Sequence, residues 1–464
     1  MEFMNKSIRR ELGNIMTLDK ASLEHYSKRI LIIAVPIFLS NLISQVQMLI
    51  DKIFLGKMND LYMGAIANVT TPMWTTMSFC FSLVIGSSII ISQKVGAGNS
   101  EETEQYAAAM MKWNNVIPVL LFFFWLIFAK NVFTAMGVDS EVLPICLEYT
   151  KYFVPIFLVV GIEASSMVIM QTSNYTKPLI YFGVVRSGLN ILLDWILIFG
   201  NCGFPALGIK GAAIATTIAE YVGCLYALFI FVTSKKLPTR PSLSAVLKAK
   251  FGPFFTSVKL GINTAFEDFA WNFGNLMMIR ILNSINKYAA GIYTIIFSVE
   301  ILVLVAIGAI GNSTMTLTSE ATGEKNLKQY KGVCKIAYGM CVIVSLIMFV
   351  VCLIFPQQLI ALFTSDKKII TSCGVYLIFM CINLYGKSAN IIVGNGIRGS
   401  GDTKWMFYSQ IFGTFFVIGC AAFFVYVLDM GIAGVFCAVI ADELVRTLIN
   451  FSRLVRITKT FGEK

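Results

Sequence analysis

YFGVVRSGLNILLDWILIFG, residues 181–200, is an apolar stretch long enough to cross a bilayer, and it carries Asn190 and Asp194. Four residues apart on a helix, the two share one face, one turn above the other. An ionisable group at the centre of a bilayer costs at least about 2.5–3.5 kcal/mol on insertion scales, so it needs a partner or a task. The stretch predicts a membrane helix built around a cation-binding carboxylate, and the rest of the chain is read from it.

Apolar residues make up 57% of the 464 and charged residues only 14%. A soluble chain would carry about 25% charge, so the composition excludes a soluble enzyme or binding module. Apolar runs of membrane length recur from end to end, which predicts an all-α, multi-span membrane protein with no separate soluble domain. The net charge of +11 fits loops facing anionic lipid rather than nucleic acid. The eleven cysteines are scattered without a C-x-x-C pair, and the single histidine, His25, lies in the polar N-terminal arm. A histidine metal site and histidine catalysis therefore have no support. No cleavable signal peptide is expected from the polar first thirty residues.

Hydropathy predicts about twelve spans. They are organised as a cytoplasmic arm (1–29), an N-terminal lobe of six spans (30–232), a basic linker (233–252), a C-terminal lobe of six spans (253–456) and a tail (457–464). Lys6, Arg9, Arg10, Lys28, Arg29, Lys235, Lys236, Arg240, Lys325, Lys328, Arg453 and Arg456 all fall on one side of an even-span topology. The other side offers Lys57, Lys130, Lys151, Lys210, Lys287, Lys367 and Lys368. Both termini are expected in the cytoplasm of a cell whose inner (plasma) membrane holds the chain. The chain also repeats. GIKGAAIATTIAE (208–220) aligns without gaps on GIAGVFCAVIADE (431–443), NYTKP (174–178) answers GDTKW (401–405), and GNSEE (98–102) answers GEKNL (323–327). The offset is near 225 residues, about half the chain, which is the signature of a parallel repeat about an axis normal to the membrane.

Helix depth tests which polar residues can meet. Asp51 near the outer end of span one, Asn190 and Asp194 in span five, and Thr216 in span six fall in the same outer third of the N-terminal lobe. Two carboxylates, an amide oxygen and a hydroxyl make an oxygen-rich place for a proton or a sodium ion. Two such carboxylates in a low dielectric do not readily both ionise, so one is expected to hold a proton. The competing reading ends span one in the headgroup zone at Asp51, beside Lys52, with nothing bound. In the second half Glu267 and Asp268 (span seven), Glu300 (span eight) and Lys387 (span ten) lie at similar depths. They predict a C-lobe charge network with an ion pair to Lys387, either structural or in contact with substrate. Glu220 and Glu443 fall at equivalent repeat positions and read first as structural. Pro36, about four turns below Asp51, frees a carbonyl and permits a bend in span one.

Six stretches, in order, carry a resemblance across nearly the whole chain: AVPIF (34–38), LIDKIFLG (49–56), VGAGN (95–99), LNILLD (189–194), GIKGAAIAT (208–216) and IRGSGDT (397–403). Together they resemble the multidrug and toxic compound extrusion (MATE) family. The resemblance implies two pseudo-symmetric six-helix lobes in a V-shaped arrangement, and antiport of organic cations against protons or sodium. Asp51, Asn190, Asp194 and Thr216 match the N-lobe cation site of the branch that resembles the DNA-damage-inducible-protein-like members. Ala212 matches a backbone-carbonyl position there, and Pro36 the bending proline. Lys387 stands where another branch carries a cation-binding aspartate, so a C-lobe sodium site is not carried over.

The expected function is a secondary active exporter of amphipathic, cationic, drug-like molecules. No cofactor is expected beyond the coupling ion, and the expected surroundings are membrane lipid around a monomer. The rival in the same wider superfamily is a flippase for a lipid-linked saccharide or peptidoglycan precursor, which would need basic cavity residues for a pyrophosphate. A membrane-embedded enzyme is disfavoured, because no nucleophile with a positioned base is visible.

Overall fold

A computed structural model describes residues 20–58, 60–286, 288–363, 370–371 and 373–461. The first nineteen residues of the arm, Lys287, Lys367, Lys368 and the last three residues of the tail lie outside this set. Helices dominate: α1 (Lys20–Met58), α2 (Asp60–Gly96), α3 (Ser100–Trp113), α4 (Val116–Ala135), α5 (Leu143–Phe153), α6 (Phe157–Thr172), α7 (Lys177–Phe199) and α8 (Ile209–Thr233) form the first half. A short α9 (Leu243–Lys248) precedes α10 (Phe251–Ile285), α11 (Ala289–Gly323), α12 (Leu327–Ile354), α13 (Pro356–Ala361), α14 (Gly374–Gly399), α15 (Thr403–Tyr426) and α16 (Gly431–Lys459). Taking α3 with α4 and α5 with α6, the described residues supply twelve spans. Ten are long and apolar enough to cross a membrane by length and composition alone. The other two, α10 and α16, carry Glu267 and Asp268, and Asp442, Glu443 and Arg446, in mid-helix.

Spans three and four are interrupted, which hydropathy did not show. Span three breaks at Asn114, whose buried amide donates to Gly161 O and to Ser165 Oγ, both at 3.3 Å. Span four breaks at Pro155 through a 3-10 turn, Val154–Ile156. Proline has no N–H to give, so carbonyls near it need other donors. Thr217 Oγ1 donates to Tyr152 O (2.7 Å) and Tyr221 OH to Pro155 O (3.1 Å), both from α8.

The chain divides into two compact units. One comprises Val35–Ile91 and Asn99–Ala265. The other runs from Phe266 to the C-terminal end and includes α1 up to Ala34 and Ser92–Gly98. These bounds differ from the hydropathy lobes: the linker and the start of α10 belong with the first half. The linker is held there by side chains. Thr239 Oγ1 lies 2.6 Å from Ser173 Oγ, Ser242 N donates to Glu104 Oε1 (3.0 Å), and Lys112 Nζ donates to Leu247 O (2.7 Å). Gly86 permits the start of α10 to approach: a Cβ there would meet Ser257 O at 2.1 Å.

The repeat is visible in the backbone. Gly98 and Lys325, Asn174 and Gly401, and Gly208 and Gly431 all take positive φ; the first pair moves the register there two residues from the Gly98–Gly323 match of the sequence. Asn99 caps α3 by accepting from Glu102 N, and Asn326 caps α12 by accepting from Gln329 N. An asparagine at this position satisfies an otherwise orphaned amide, so the same chemistry starts the third span of each half.

Candidate functional site

The site is built from α1, α5, α7 and α8, all within the unit 35–91 and 99–265. The α7–α8 hairpin sets it. Gly200 ends α7 in the left-handed conformation, which glycine adopts without steric cost. Leu207 N then donates to Leu197 O at 2.8 Å. A Cβ on Gly211 would stand 2.6 Å from Leu197 O, so glycine lets α8 lie against the end of α7. This brings Thr216 beside Asn190. On the other side of α7, Gly183 lets Ser40 of α1 approach: a Cβ there would stand 2.8 Å from Ser40 Oγ.

The predicted residues converge. Asp51 and Asp194 face one another, carboxyl to carboxyl. Asp194 is wholly buried, and no donor of the described chain reaches either of its oxygens. Two carboxyls can share a hydrogen bond only when one carries a proton. Among the described residues neither acid forms an ion pair. Gln47 Nε2 donates to Asp51 Oδ2 at 3.2 Å, and Ser187 Oγ donates to Gln47 Oε1 at 2.9 Å. The buried Tyr149 of α5 lies close enough to feel the charge of both acids.

Asn190 spans the gap between Asp51 and Thr216. In one orientation its Nδ2 donates to Thr216 Oγ1 (3.2 Å), whose own proton goes to Ala212 O (3.0 Å). The Asn190 oxygen then lies beside Asp51 Oδ1 and 2.7 Å from Gln47 Nε2. Turned over, its nitrogen donates to Asp51 Oδ1 at 3.0 Å, which suits an ionised Asp51, and its oxygen accepts from Thr216 N at 3.3 Å. The same oxygens, with Ala212 O, are the ligands that would hold sodium.

The C-lobe network divides in two. Lys387 Nζ donates to Glu300 Oε1 at 2.8 Å, with Asn383 Nδ2 on the same oxygen at 3.1 Å. Glu267 pairs instead with Arg398, the arginine of the IRGSGDT stretch. Asp268 is half-buried one residue further on. Next to Lys387 lies a cleft of about 490 Å³, its open mouth included, with Trp271, Tyr293, Phe297 and Arg446 in its walls. Arg446 is matched by Asp442 (2.7 Å) and Glu443 (3.0 Å).

Sequence reasoning missed Glu163 on α6. It is buried and faces Arg186, which bonds Glu220 at 2.9 Å. A lone acid inside an apolar span was the available signal. It also missed Gln47 and Tyr149, for which single residue types give no signal.

Membrane-length helices in two matching halves, with a carboxyl pair buried in one of them, define a polytopic membrane transporter. The chain belongs to the MatE family, whose sequence model matches residues 36–196 and 264–423, one block in each half. It is 24% identical to the Uncharacterized transporter YisQ of Bacillus subtilis, over 87% of this chain and 88% of that one. It is 24% identical to the Probable multidrug resistance protein NorM of Thermotoga maritima, over 93% of each. The fold matches a solved structure described as the outward-facing conformation of a multidrug resistance MATE family transporter. The TM-score is 0.87 at 18% identity, with 95% of this chain and 97% of that one covered.

Proposed function

We propose that the protein is a multidrug efflux antiporter that exports amphipathic organic cations in exchange for protons, bound at Asp51 and Asp194. The observation that carries this is the meeting of Asp51 with the wholly buried Asp194, matched by no base among the described residues, an arrangement that favours one proton on the pair. Family membership and the NorM relative support drug export. The inward proton gradient loads the pair, and cargo leaves as it loads. Each charge crossing 100 mV supplies about 2.3 kcal/mol. Pro36 lies on α1 below Asp51, so α1 can bend as the pair changes state. The setting is the inner (plasma) membrane, with both termini cytoplasmic and the protein working as a monomer.

The flippase reading is weaker on this geometry. A pyrophosphate needs unmatched positive charge, whereas Lys387 and Arg446 at the C-terminal cleft are each met by acids. The test is ethidium efflux from proteoliposomes with proton and sodium gradients imposed separately. A proton gradient should drive efflux, a sodium gradient should not, and Asp194→Asn should slow it at least tenfold while inserting normally. Full activity in Asp194→Asn would falsify the coupling role, and sodium-driven efflux would make sodium the ion.

A further inference from the structure

Below the Asp51–Asp194 pair, α1 carries a polar stripe, Ser40, Ser44, Gln47 and Asp51, spaced four, three and four residues apart on one helical face. It lies along Ser187, Arg186 and Gly183 of α7. Ser187 bonds Gln47 at 2.9 Å, and Arg186 Nη2 bonds Ser44 Oγ at 2.5 Å. The stripe ends at a second group of ionisable side chains. Arg186 sits eight residues from Asp194, about 12 Å along the helix axis.

Three charges meet there. Arg186 Nη1 is 2.9 Å from Glu220 Oε1 and 3.8 Å from Glu163 Oε1. The guanidinium is also engaged by Ser44 and stands over the Phe182 ring, 5.3 Å from its centroid. It is thus committed to Glu220 and Ser44. Glu163 is only 5% exposed, and its ion-pair partner among the described residues, Arg186, stands off at 3.8 Å. Its near polar neighbour is the Glu220 carboxyl. The thiol of Cys224 on α8 also lies near both acids and points to Val159 O. No further cation faces the group among the described residues. Two carboxylates and one guanidinium leave one uncompensated negative charge in an apolar surrounding, a costly state that one proton removes.

We propose that Glu163 and Glu220, organised by Arg186, form a second proton-holding site, so that one proton is released there and one at Asp51–Asp194 in each transport cycle. This rests on the proton-coupled reading above. The step is a simple ionisation: a carboxyl O–H breaks, its proton passes to water, and the new carboxylate is held by Arg186. The drawn-in guanidinium shortens its stand-off from Glu163 and loosens its bond to Ser44, so discharge of the lower site releases α1 from α7 two turns above Pro36.

The alternative is a proton that never leaves, making the group a static ion-pair cluster. Proton release on adding ethidium to purified, weakly buffered protein separates the two. Wild-type protein should release two protons per ethidium bound, Glu163→Gln one, Asp194→Asn one, and the double variant none. Glutamine mimics a permanently protonated Glu163, so a static cluster predicts one proton from wild type and Glu163→Gln alike and none from Asp194→Asn, and that result overturns the proposal. Two protons from Asp194→Asn, with one from Glu163→Gln, would instead overturn the role of the upper pair. Should Glu163→Gln not fold, infrared difference spectra of wild-type protein count the protonated-carboxyl bands lost on ethidium addition. Two support the second site and one overturns it.

Discussion

Asp194 and Lys387 are both ionisable groups inside the membrane, yet their surroundings assign them opposite work. Lys387 has a full partner in Glu300 at 2.8 Å, while Asp194 has only another acid. A buried charge whose partner is removed is strongly destabilising, by about 3–5 kcal/mol, whereas replacing both partners is often nearly neutral. Lys387→Met should therefore lower the thermal midpoint in detergent markedly, and Lys387→Met with Glu300→Gln should recover most of the loss. Equal midpoints for the single and double variants would show that the pair is not coupled. Asp194→Asn removes no such partner and should leave the midpoint close to wild type. Depth along a helix axis was enough to place Asp51, Asn190, Asp194 and Thr216 together, because rise per residue is fixed. Which acid Lys387 or Arg398 would choose was not legible. Glu267, Asp268 and Glu300 share a depth, and the choice depends on helix rotation and packing that sequence spacing does not set.

At the scale of elements, glycines decide how closely helices pass. The end of α2 and the end of α11 meet through repeat-related residues within one unit. A Cβ on Gly96 would stand 2.0 Å from Glu320 O, and one on Gly323 would stand 1.8 Å from Gln93 O. Gln93 and Glu320 are themselves repeat mates, so the contact is reciprocal. Arg29 reinforces it by donating to Glu320 Oε2 at 2.7 Å, and Gln93 Nε2 donates to Gly399 O at 2.9 Å. Gly339, on α12, has nothing within 4 Å of its missing Cβ. Gly323→Ala should destabilise by about 1–3 kcal/mol through overpacking against backbone. Gly339→Ala should stabilise by up to about 1 kcal/mol through helix propensity. Thermal midpoints measured side by side test this opposition of sign, and a shift of the same sign for both would remove the close-approach argument. Proline and glycine were legible as types. That Pro155 breaks span four while Pro36 leaves α1 continuous was not, because α8 happens to supply hydroxyls at the first.

The whole molecule was legible wherever the reading rested on periodicity. The repeat offset appeared in short matched stretches, and it returns in positive-φ positions, in paired asparagine caps and in two family-model blocks. The unit boundaries were not legible, because hydropathy marks where the chain leaves the bilayer and says nothing of which helix halves pack together. The lysine and arginine distribution makes a claim about the whole chain that packing cannot check. With both termini in the cytoplasm, the loop joining α7 to α8 lies outside. That loop holds Cys202, the one exposed free cysteine among the described residues, in the turn Asn201–Gly203. A membrane-impermeant maleimide applied to intact cells should label Cys202, and Cys202→Ser should abolish the signal. Labelling only after the membrane is permeabilised would invert the orientation. It would also move the Asp51–Asp194 pair from the side where protons enter to the side where they leave. The direction of transport in the proposed cycle therefore depends on a cysteine more than a turn beyond the acids it reports on.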